Sequence, residues 1–205
     1  MSAKRLVILV VPVLFLLSSA LAQVNELSVT SGLSFVSTQT VPSTGDPIHF
    51  GNASGSVVVD YSRLLMTRKI FGIYAELPVE IGTPMNLNYY YFNQVPKNIG
   101  ALFVTPSVRV SFFSRDSVTP WVSAGGGYGY FRVSSTTLAG GPNPGGGSNS
   151  GVAQFGAGLD VWFWHRWGAR FEARDFYSGA PNLNVDTGRS RQHNYYVGAG
   201  VGYRF

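Results

Sequence analysis

Apolar and polar side chains alternate along most of the chain after residue 23. Segments 151–164 and 167–175 follow this pattern, and the last segment, 194–205, follows it most regularly. The apolar positions of that last segment are Tyr195, Val197, Ala199, Val201, Tyr203 and Phe205. A period of two residues predicts β-strands, because successive side chains of a strand point to opposite faces.

Five more segments alternate less regularly, which brings the number of predicted strands to eight. They are residues 27–35, 56–62, 73–80, 102–111 and 122–130. The connections near 39–54, 82–98, 138–150 and 178–192 are long, whereas those near 64–69, 114–119 and 165–166 are short. An even number of strands joined by alternately long and short connections predicts an all-β fold, a closed antiparallel up-and-down eight-stranded transmembrane β-barrel.

With the exception of Asp175, the charged residues of these segments share one face with serine, glycine and asparagine. They are five acids and four bases: Asp60, Glu76, Glu80, Asp160, Glu172, Arg109, Arg170, Arg174 and Arg204. An arginine at the bilayer centre on the outside of a barrel costs about 2–4 kcal/mol. We therefore expect the apolar face to contact lipid and the charged face to line the lumen. Side chains fill the interior of an eight-stranded barrel, so the nine ions are predicted to form a network of ion pairs.

Within this network, Asp160, Arg170, Glu172 and Arg174 are expected to meet on neighbouring strands. The short turn near 64–69 would place Asp60 opposite Glu76. Two adjacent carboxylates require Arg109 or another base between them, or a proton on one of them.

Aromatic girdles and two outward charges complete the predicted barrel. One girdle is expected near the short turns and the other near the long connections. Their members are Phe112, Phe113, Trp121, Trp162, Trp164 and Trp167 in the first, and residues 89–92, Tyr177 and Tyr195 in the second. Strict alternation turns Arg132 and Asp175 outward, and we expect both above the bilayer or at a bulge.

Residues 1–22 have the pattern of a secretory signal peptide. Lys4 and Arg5 precede an apolar run of 12 residues, 6–17, and Ala20 and Ala22 supply small residues for cleavage. A run of that length is too short to span the bilayer as a helix. The chain is therefore divided into a signal peptide, 1–22, and a barrel domain, 23–205.

The composition favours a membrane barrel over a soluble one. Charged residues make up 12% of the chain, about half of the ~25% found in soluble domains. A soluble lipocalin-like barrel, the structural alternative, would enclose its apolar face and carry more charge. The absence of cysteine excludes disulfides, thiolate metal sites and a cysteine nucleophile. The net charge of +5 is spread over the chain without a basic run longer than two residues, so a nucleic-acid partner is not expected. The sequence has neither a phosphate-binding loop motif nor metal-ligand spacings, so no cofactor is expected.

The signal peptide, the eight strands and the C-terminal Tyr203-Arg204-Phe205 together resemble the small outer-membrane β-barrels of the OmpA, OmpX and OmpW type. The final strand, with Val201, Tyr203 and Phe205 at alternate positions, resembles the signal that the bacterial barrel-assembly machinery recognises. The resemblance implies an outer-membrane location, periplasmic termini, a monomer, and contact with outer-membrane lipid and lipopolysaccharide.

Three functions remain open at this point. A structural or surface-recognition role through the four long connections, without enzymatic activity, is the one we expect. The alternative is a narrow channel or a lateral-exit pathway for small apolar solutes, for which inward-facing glycines leave space. A second alternative is a lipid A-modifying enzyme, since enzymes that resemble this family use a histidine with a serine and an acid near the outer rim. His49 and His193 are the candidates here, but neither lies in a nucleophile motif, so no catalytic, cofactor-binding or metal-binding residue is predicted.

Overall fold

The computed structural model describes residues 24–90, 94–114 and 116–205. The predicted signal peptide lies outside the described residues, as do Tyr91 and Phe92 of the predicted outer girdle. Within the described part of the chain, no helix is long and apolar enough to cross a membrane.

The described residues form twelve β-strands. In chain order they are β1 (Asn25–Val36), β2 (Gln39–Thr40), β3 (Pro47–Phe50), β4 (Ser54–Thr67), β5 (Phe71–Gly82), β6 (Met85–Asn88), β7 (Asn98–Val104), β8 (Ser107–Phe112), β9 (Val118–Val133), β10 (Ser148–Trp162), β11 (Trp167–Gly179) and β12 (Arg191–Arg204).

Eight barrel strands close into one antiparallel ring. Each of β7 and β8 pairs with β5 on one side and β9 on the other, so together they form one barrel strand. That strand is interrupted at Thr105 and Pro106, where proline has no backbone N–H to donate. The ring runs β1, β4, β5, β7/β8, β9, β10, β11 and β12, and β12 pairs with β1. The predicted closed eight-stranded antiparallel barrel is confirmed, and β2, β3 and β6 are additional strands outside the ring.

The two ends of the barrel differ. The connections 68–70, 113–117 and 163–166 make one end, which we call the short-turn end. Asn25 and Phe205 lie there side by side: the backbone N–H of Asn25 donates to the Phe205 carbonyl at 3.0 Å, and the Phe205 N–H donates to the Asn25 carbonyl at 2.9 Å. The connections 37–53, 83–97, 134–147 and 180–190 make the opposite, long-loop end.

The faces of the strands are arranged inside out relative to a soluble protein. Buried inward positions are mostly polar, for example Ser28, Thr30 and Ser62. Outward positions form an exposed apolar belt, which includes Leu27, Val29, Leu33, Val57, Val59, Leu77, Val108, Val122, Phe155, Phe171, Val197 and Val201. The alternation of the sequence therefore corresponds to the inner and outer surfaces of the barrel wall.

Inward glycines let neighbouring strands and side chains approach closely. A Cβ atom on Gly200 would lie 1.9 Å from the carbonyl oxygen of Val29, and one on Gly127 would lie 2.0 Å from that of Val104. Any side chain at these positions would collide with the backbone of the adjacent strand. These glycines therefore serve the tight coiling of a small barrel.

The girdle prediction is partly wrong. Phe112, Phe113, Trp164 and Trp167 are exposed near the short-turn end. Trp121 and Trp162 are buried, however, because they share the inward parity of Ser123 and Asp160 on their own strands. At the other end, Tyr195 is exposed, whereas Tyr89 packs into the apolar core.

Candidate functional site

Nine ionisable side chains meet inside the barrel between the short-turn end and the middle of the wall. We call this group the lumen cluster; its members are Glu26, Asp60, Glu76, Asp160, Glu172, Arg109, Arg170, Arg174 and Arg204. They project from β1, β4, β5, β8, β10, β11 and β12. The closed ring brings together residues that are up to 178 positions apart in sequence.

Arg170 connects its own strand, β11, to three others: β10, β4 and β1. Its guanidinium donates to both oxygens of Asp160, from Nε to Oδ1 at 2.7 Å and from Nη2 to Oδ2 at 2.9 Å. Nη1 donates to Oδ2 of Asp60 at 2.8 Å and to the Ser28 hydroxyl at 2.7 Å. A planar guanidinium group can donate to several acceptors at once because its N–H bonds point in fixed, different directions.

Arg174 separates Asp60 from Glu76. Its Nη1 lies 3.0 Å from Oε1 of Glu76, and its Nη2 lies 3.8 Å from Oδ2 of Asp60. The prediction that Asp60 stands directly opposite Glu76 is wrong, because the register pairs Asp60 with Pro78 and Glu76 with Ser62. The base between the two carboxylates is Arg174, which also contacts Glu172 on its own strand at 3.0 Å.

Arg109 and Glu26 form a buried ion pair across the lumen. Nη1 of Arg109 also lies 3.6 Å from Asp160, and Nε lies 3.8 Å from Glu76. Glu26 is not among the predicted lumen residues, because the predicted first strand begins at Leu27 whereas β1 begins at Asn25. The signal was present, since Glu26 has the same parity as the inward residues Ser28 and Thr30.

Glu26 also ties the last strand to the first. Nε of Arg204 donates to Oε1 of Glu26 at 2.8 Å, and the Arg204 guanidinium lies 3.6 Å from the ring centroid of Trp162. Since β1 and β12 close the ring, this pair reinforces the closure at the short-turn end.

Trp121 of β9 is the aromatic centre of the lumen cluster. The guanidinium groups of Arg174, Arg170 and Arg109 lie 5.2, 5.4 and 5.8 Å from its ring centroid. Cations within about 6 Å of an indole face are attracted to it, and Nε1 donates to Asp160 at 3.3 Å. Trp121 and Arg109 are only 2% and 0% exposed, so the cluster fills the cross-section of the barrel at this level.

Glu80 is buried inside the barrel but does not take part in the lumen cluster. Its Oε1 accepts a hydrogen bond from Ser34 at 2.7 Å, and Ser34 is also 2.7 Å from the Ser56 hydroxyl. Among the described residues, no arginine, lysine or histidine nitrogen lies within 4.0 Å of Glu80. The structure therefore separates Glu80 from the other eight predicted lumen residues.

The long-loop end of the interior is apolar. Phe103 stacks on Phe176 at 5.1 Å and meets Phe131 edge-on at 5.7 Å. Residues of the long connections pack onto these rings, namely Val41, Ile48, Phe50, Met85, Leu87, Tyr89, Val95 and Leu183. We call this group the loop core. The barrel interior thus changes from ionic to apolar along its axis.

The two candidate histidines have different surroundings. Nδ1 of His193 lies 2.7 Å from Oδ2 of Asp175 on the outer face of the barrel, between the rings of Tyr177 and Tyr195. His49 contacts Thr38 at 3.4 Å. No serine or threonine hydroxyl is hydrogen-bonded to His193 within the described residues. Nor do those residues contain a group of three His, Asp or Glu side chains placed to hold a metal ion.

The fold is similar to those of solved outer-membrane barrels. OprG from Pseudomonas aeruginosa superposes with a TM-score of 0.54 and 12% identity, over 88% of this chain and 96% of OprG. Neisserial surface protein A superposes with a TM-score of 0.48 and 12% identity, over 89% of this chain and 96% of that protein. Ail of Yersinia pestis superposes with a TM-score of 0.48 and 14% identity, over 90% of this chain and 100% of Ail. No family model and no curated protein sequence matches the chain. The resemblance to small eight-stranded outer-membrane barrels is therefore one of fold.

Proposed function

We propose that this chain is a bacterial outer-membrane protein with a closed lumen, and that it has a structural or surface-recognition role through its long-loop end. The observation that carries this proposal is the lumen cluster, which occupies the barrel interior where a channel would have to pass. The proposed partners are outer-membrane lipid, lipopolysaccharide and a ligand at the cell surface.

The apolar belt supports a membrane location. Ten residues separate Trp167 near the short-turn end from Tyr177 near the long-loop end. With a rise of about 3.3 Å per residue and a tilt of about 40°, they span about 25 Å along the barrel axis. That height equals the apolar band expected of an outer-membrane barrel. In water the same belt would be an exposed apolar surface far larger than monomeric proteins carry.

The orientation follows from the lengths of the connections. Outer-membrane barrels have short periplasmic turns and longer extracellular loops. We therefore place the termini in the periplasm and the long-loop end outside the cell. This places the exposed ring of Tyr90 on the external surface, where a partner can reach it, and the final strand where periplasmic assembly factors act.

The lumen cluster opposes conduction along the axis. An ion moving through it would have to displace buried, mutually paired guanidinium and carboxylate groups, and breaking one such pair costs about 3–5 kcal/mol. The channel alternative is therefore weaker than the surface role. The enzyme alternative is weaker too, because no serine or threonine hydroxyl of the described residues is hydrogen-bonded to the pair of His193 and Asp175.

Planar-bilayer conductance tests the closed lumen. We expect the purified protein to insert without discrete current steps. A matched variant with Trp121→Gly and Arg170→Ser, which removes the largest side chains at this level, should produce steps if it folds. Discrete steps of appreciable size from the unaltered protein would overturn the proposal.

The surface role requires a test on cells. Cells with the protein, cells without it, and cells with a variant altered at exposed long-loop residues (Tyr90→Ala, Lys97→Ala and Arg189→Ala) are compared for adhesion to extracellular-matrix proteins and for resistance to detergent. A recognition role predicts that the variant loses adhesion, and a structural role predicts that only cells without the protein lose detergent resistance. Equal behaviour of all three strains would contradict both roles.

A further inference from the structure

A small cavity lies beside Glu80 in the long-loop half of the barrel interior. Its volume is about 30 Å³, and it is partly open to the outside. The walls are chiefly apolar and come from both the barrel and the loop core: Val36, Phe50, Met85, Ile99, Phe103 and Phe131. The cavity is therefore separate from the lumen cluster.

One oxygen of Glu80 has no hydrogen-bond partner. Oε1 is bound by Ser34, whereas Oε2 is buried and unpaired, and the whole residue is 2% exposed. Of the described polar side chains that line the cavity, Glu80 alone has a buried side-chain atom without a partner. Asn194, another wall residue, donates instead to the Phe176 carbonyl and to Ser178. A buried, unpaired acceptor is costly, so this oxygen is an unfilled position for a donor.

The chemistry of that donor follows from charge and size. A carboxylate in apolar surroundings, with no basic nitrogen of the described residues within 4.0 Å, attracts positive charge strongly, because the local dielectric constant is low. A cavity of 30 Å³ has room for about two water-sized groups. A primary ammonium group and its first methylene match that room, whereas a trimethylammonium head exceeds it.

A metal ion fits less well. Calcium takes six to eight oxygen ligands. Glu80 is the one charged residue of the described walls, and the side-chain oxygens of Ser34, Gln192 and Asn194 there already form hydrogen bonds. We infer that Glu80 and this cavity bind a small organic cation, a primary ammonium group carried on an apolar tail. The ammonium donates to Oε2 of Glu80, the first methylene lies against Met85, Ile99 and Phe131, and the rest of the tail extends through the open side of the cavity. This site goes beyond the proposed surface role and does not depend on it.

Methionine-methyl NMR on the full mature barrel in lipid nanodiscs tests the inference directly. Met85 lines the cavity, whereas Met66 is an exposed residue near the short-turn end and serves as an internal reference. Hexylammonium should shift the Met85 signal saturably and leave the Met66 signal in place. Hexanol and hexanoate, which have the same tail, should bind at least about tenfold more weakly, because a hydrogen bond to a charged group contributes that much.

A pair of variants assigns the effect to Glu80. Glu80→Gln should weaken hexylammonium binding at least about tenfold and leave hexanol binding unchanged. Asp186→Asn, which alters an exposed loop acid outside the cavity, should bind as the unaltered protein does. Equal binding of the amine and the alcohol by the unaltered protein would overturn the inference without any variant. So would an undiminished amine affinity in a folded Glu80→Gln protein.

Discussion

Arg170 and Asp160 face each other across β10 and β11 and form two parallel hydrogen bonds of 2.7 and 2.9 Å. A lysine at position 170 would keep the charge but would lose the pair of parallel hydrogen bonds to Asp160 and the hydrogen bond to Asp60. We expect Arg170→Lys to lower the free energy of unfolding by about 1.5–3 kcal/mol. Urea unfolding in lipid vesicles, followed by tryptophan fluorescence, measures it. Arg132→Lys, at an exposed position of β9, is the control and should have no effect.

Removing Arg109 should destabilise the barrel more severely. Arg109→Ala removes the ion pair with Glu26, so the buried carboxylate of Glu26 has fewer positive charges near it. The change also removes the contacts to Asp160 and Glu76. The loss of one partner from a buried ionic group costs about 3–5 kcal/mol, so the temperature at which the folded band converts in a heat-modified gel shift should fall. Arg189→Ala in the long-loop end is the control and should leave this temperature unchanged. If Arg109→Ala also leaves it unchanged, Arg109 does not stabilise the barrel through the lumen cluster.

Two glycines should respond differently to the same change. Gly200→Ala would force a methyl group to within 1.9 Å of the Val29 carbonyl, so β1 and β12 would have to separate. Gly151→Ala meets no atom within 4 Å and should be neutral. The yield of heat-modifiable barrel after refolding compares the two, and equal yields would show that the strand contact adapts without cost.

Phe205 should matter for assembly more than for stability. Its side chain is 56% exposed, so Phe205→Ala removes little buried surface and should refold normally in detergent. If the final strand is the assembly signal, the same variant should reach the outer membrane of living cells in reduced amount. Trp164→Ala, also an exposed aromatic change at the short-turn end, controls for a general girdle effect and should assemble normally.

The lipid A of cells should be independent of this protein. His193 and Asp175 are paired at 2.7 Å, but their ring neighbours are tyrosines and not a serine nucleophile. Mass spectrometry of lipid A from cells with and without the protein should give identical acylation patterns. A missing acyl chain that is restored by His193→Ala would show instead that the dyad is catalytic.

Periodicity predicted the wall of the barrel because the wall is governed by a two-residue repeat. It placed Asp160 and Arg170 on the same face, and it contained the signal for Glu26 and for the inward direction of Trp121. Pairing within the lumen depends on register and on barrel closure, which no local pattern encodes. For that reason Arg174, and not Arg109, was found between Asp60 and Glu76, and no base of the described residues lies within 4.0 Å of Glu80.

The long connections could not be predicted in the same way. Val41, Phe50, Met85 and Leu183 lie in segments without sustained alternation, yet they are buried in the loop core. Their burial depends on the rings of Phe103 and Phe176, which the barrel supplies from distant strands. The cavity beside Glu80 arises from this same packing, so it too was beyond sequence-based prediction.

The loop core has a consequence for immune recognition. Residues from several connections pack against the same aromatic rings. The surface of the long-loop end is therefore formed by several connections together, held at fixed distances from one another. Antibodies selected against the folded protein would therefore bind discontinuous epitopes. Synthetic peptides copied from a single connection would bind such antibodies poorly, since each lacks the neighbours that give it its shape.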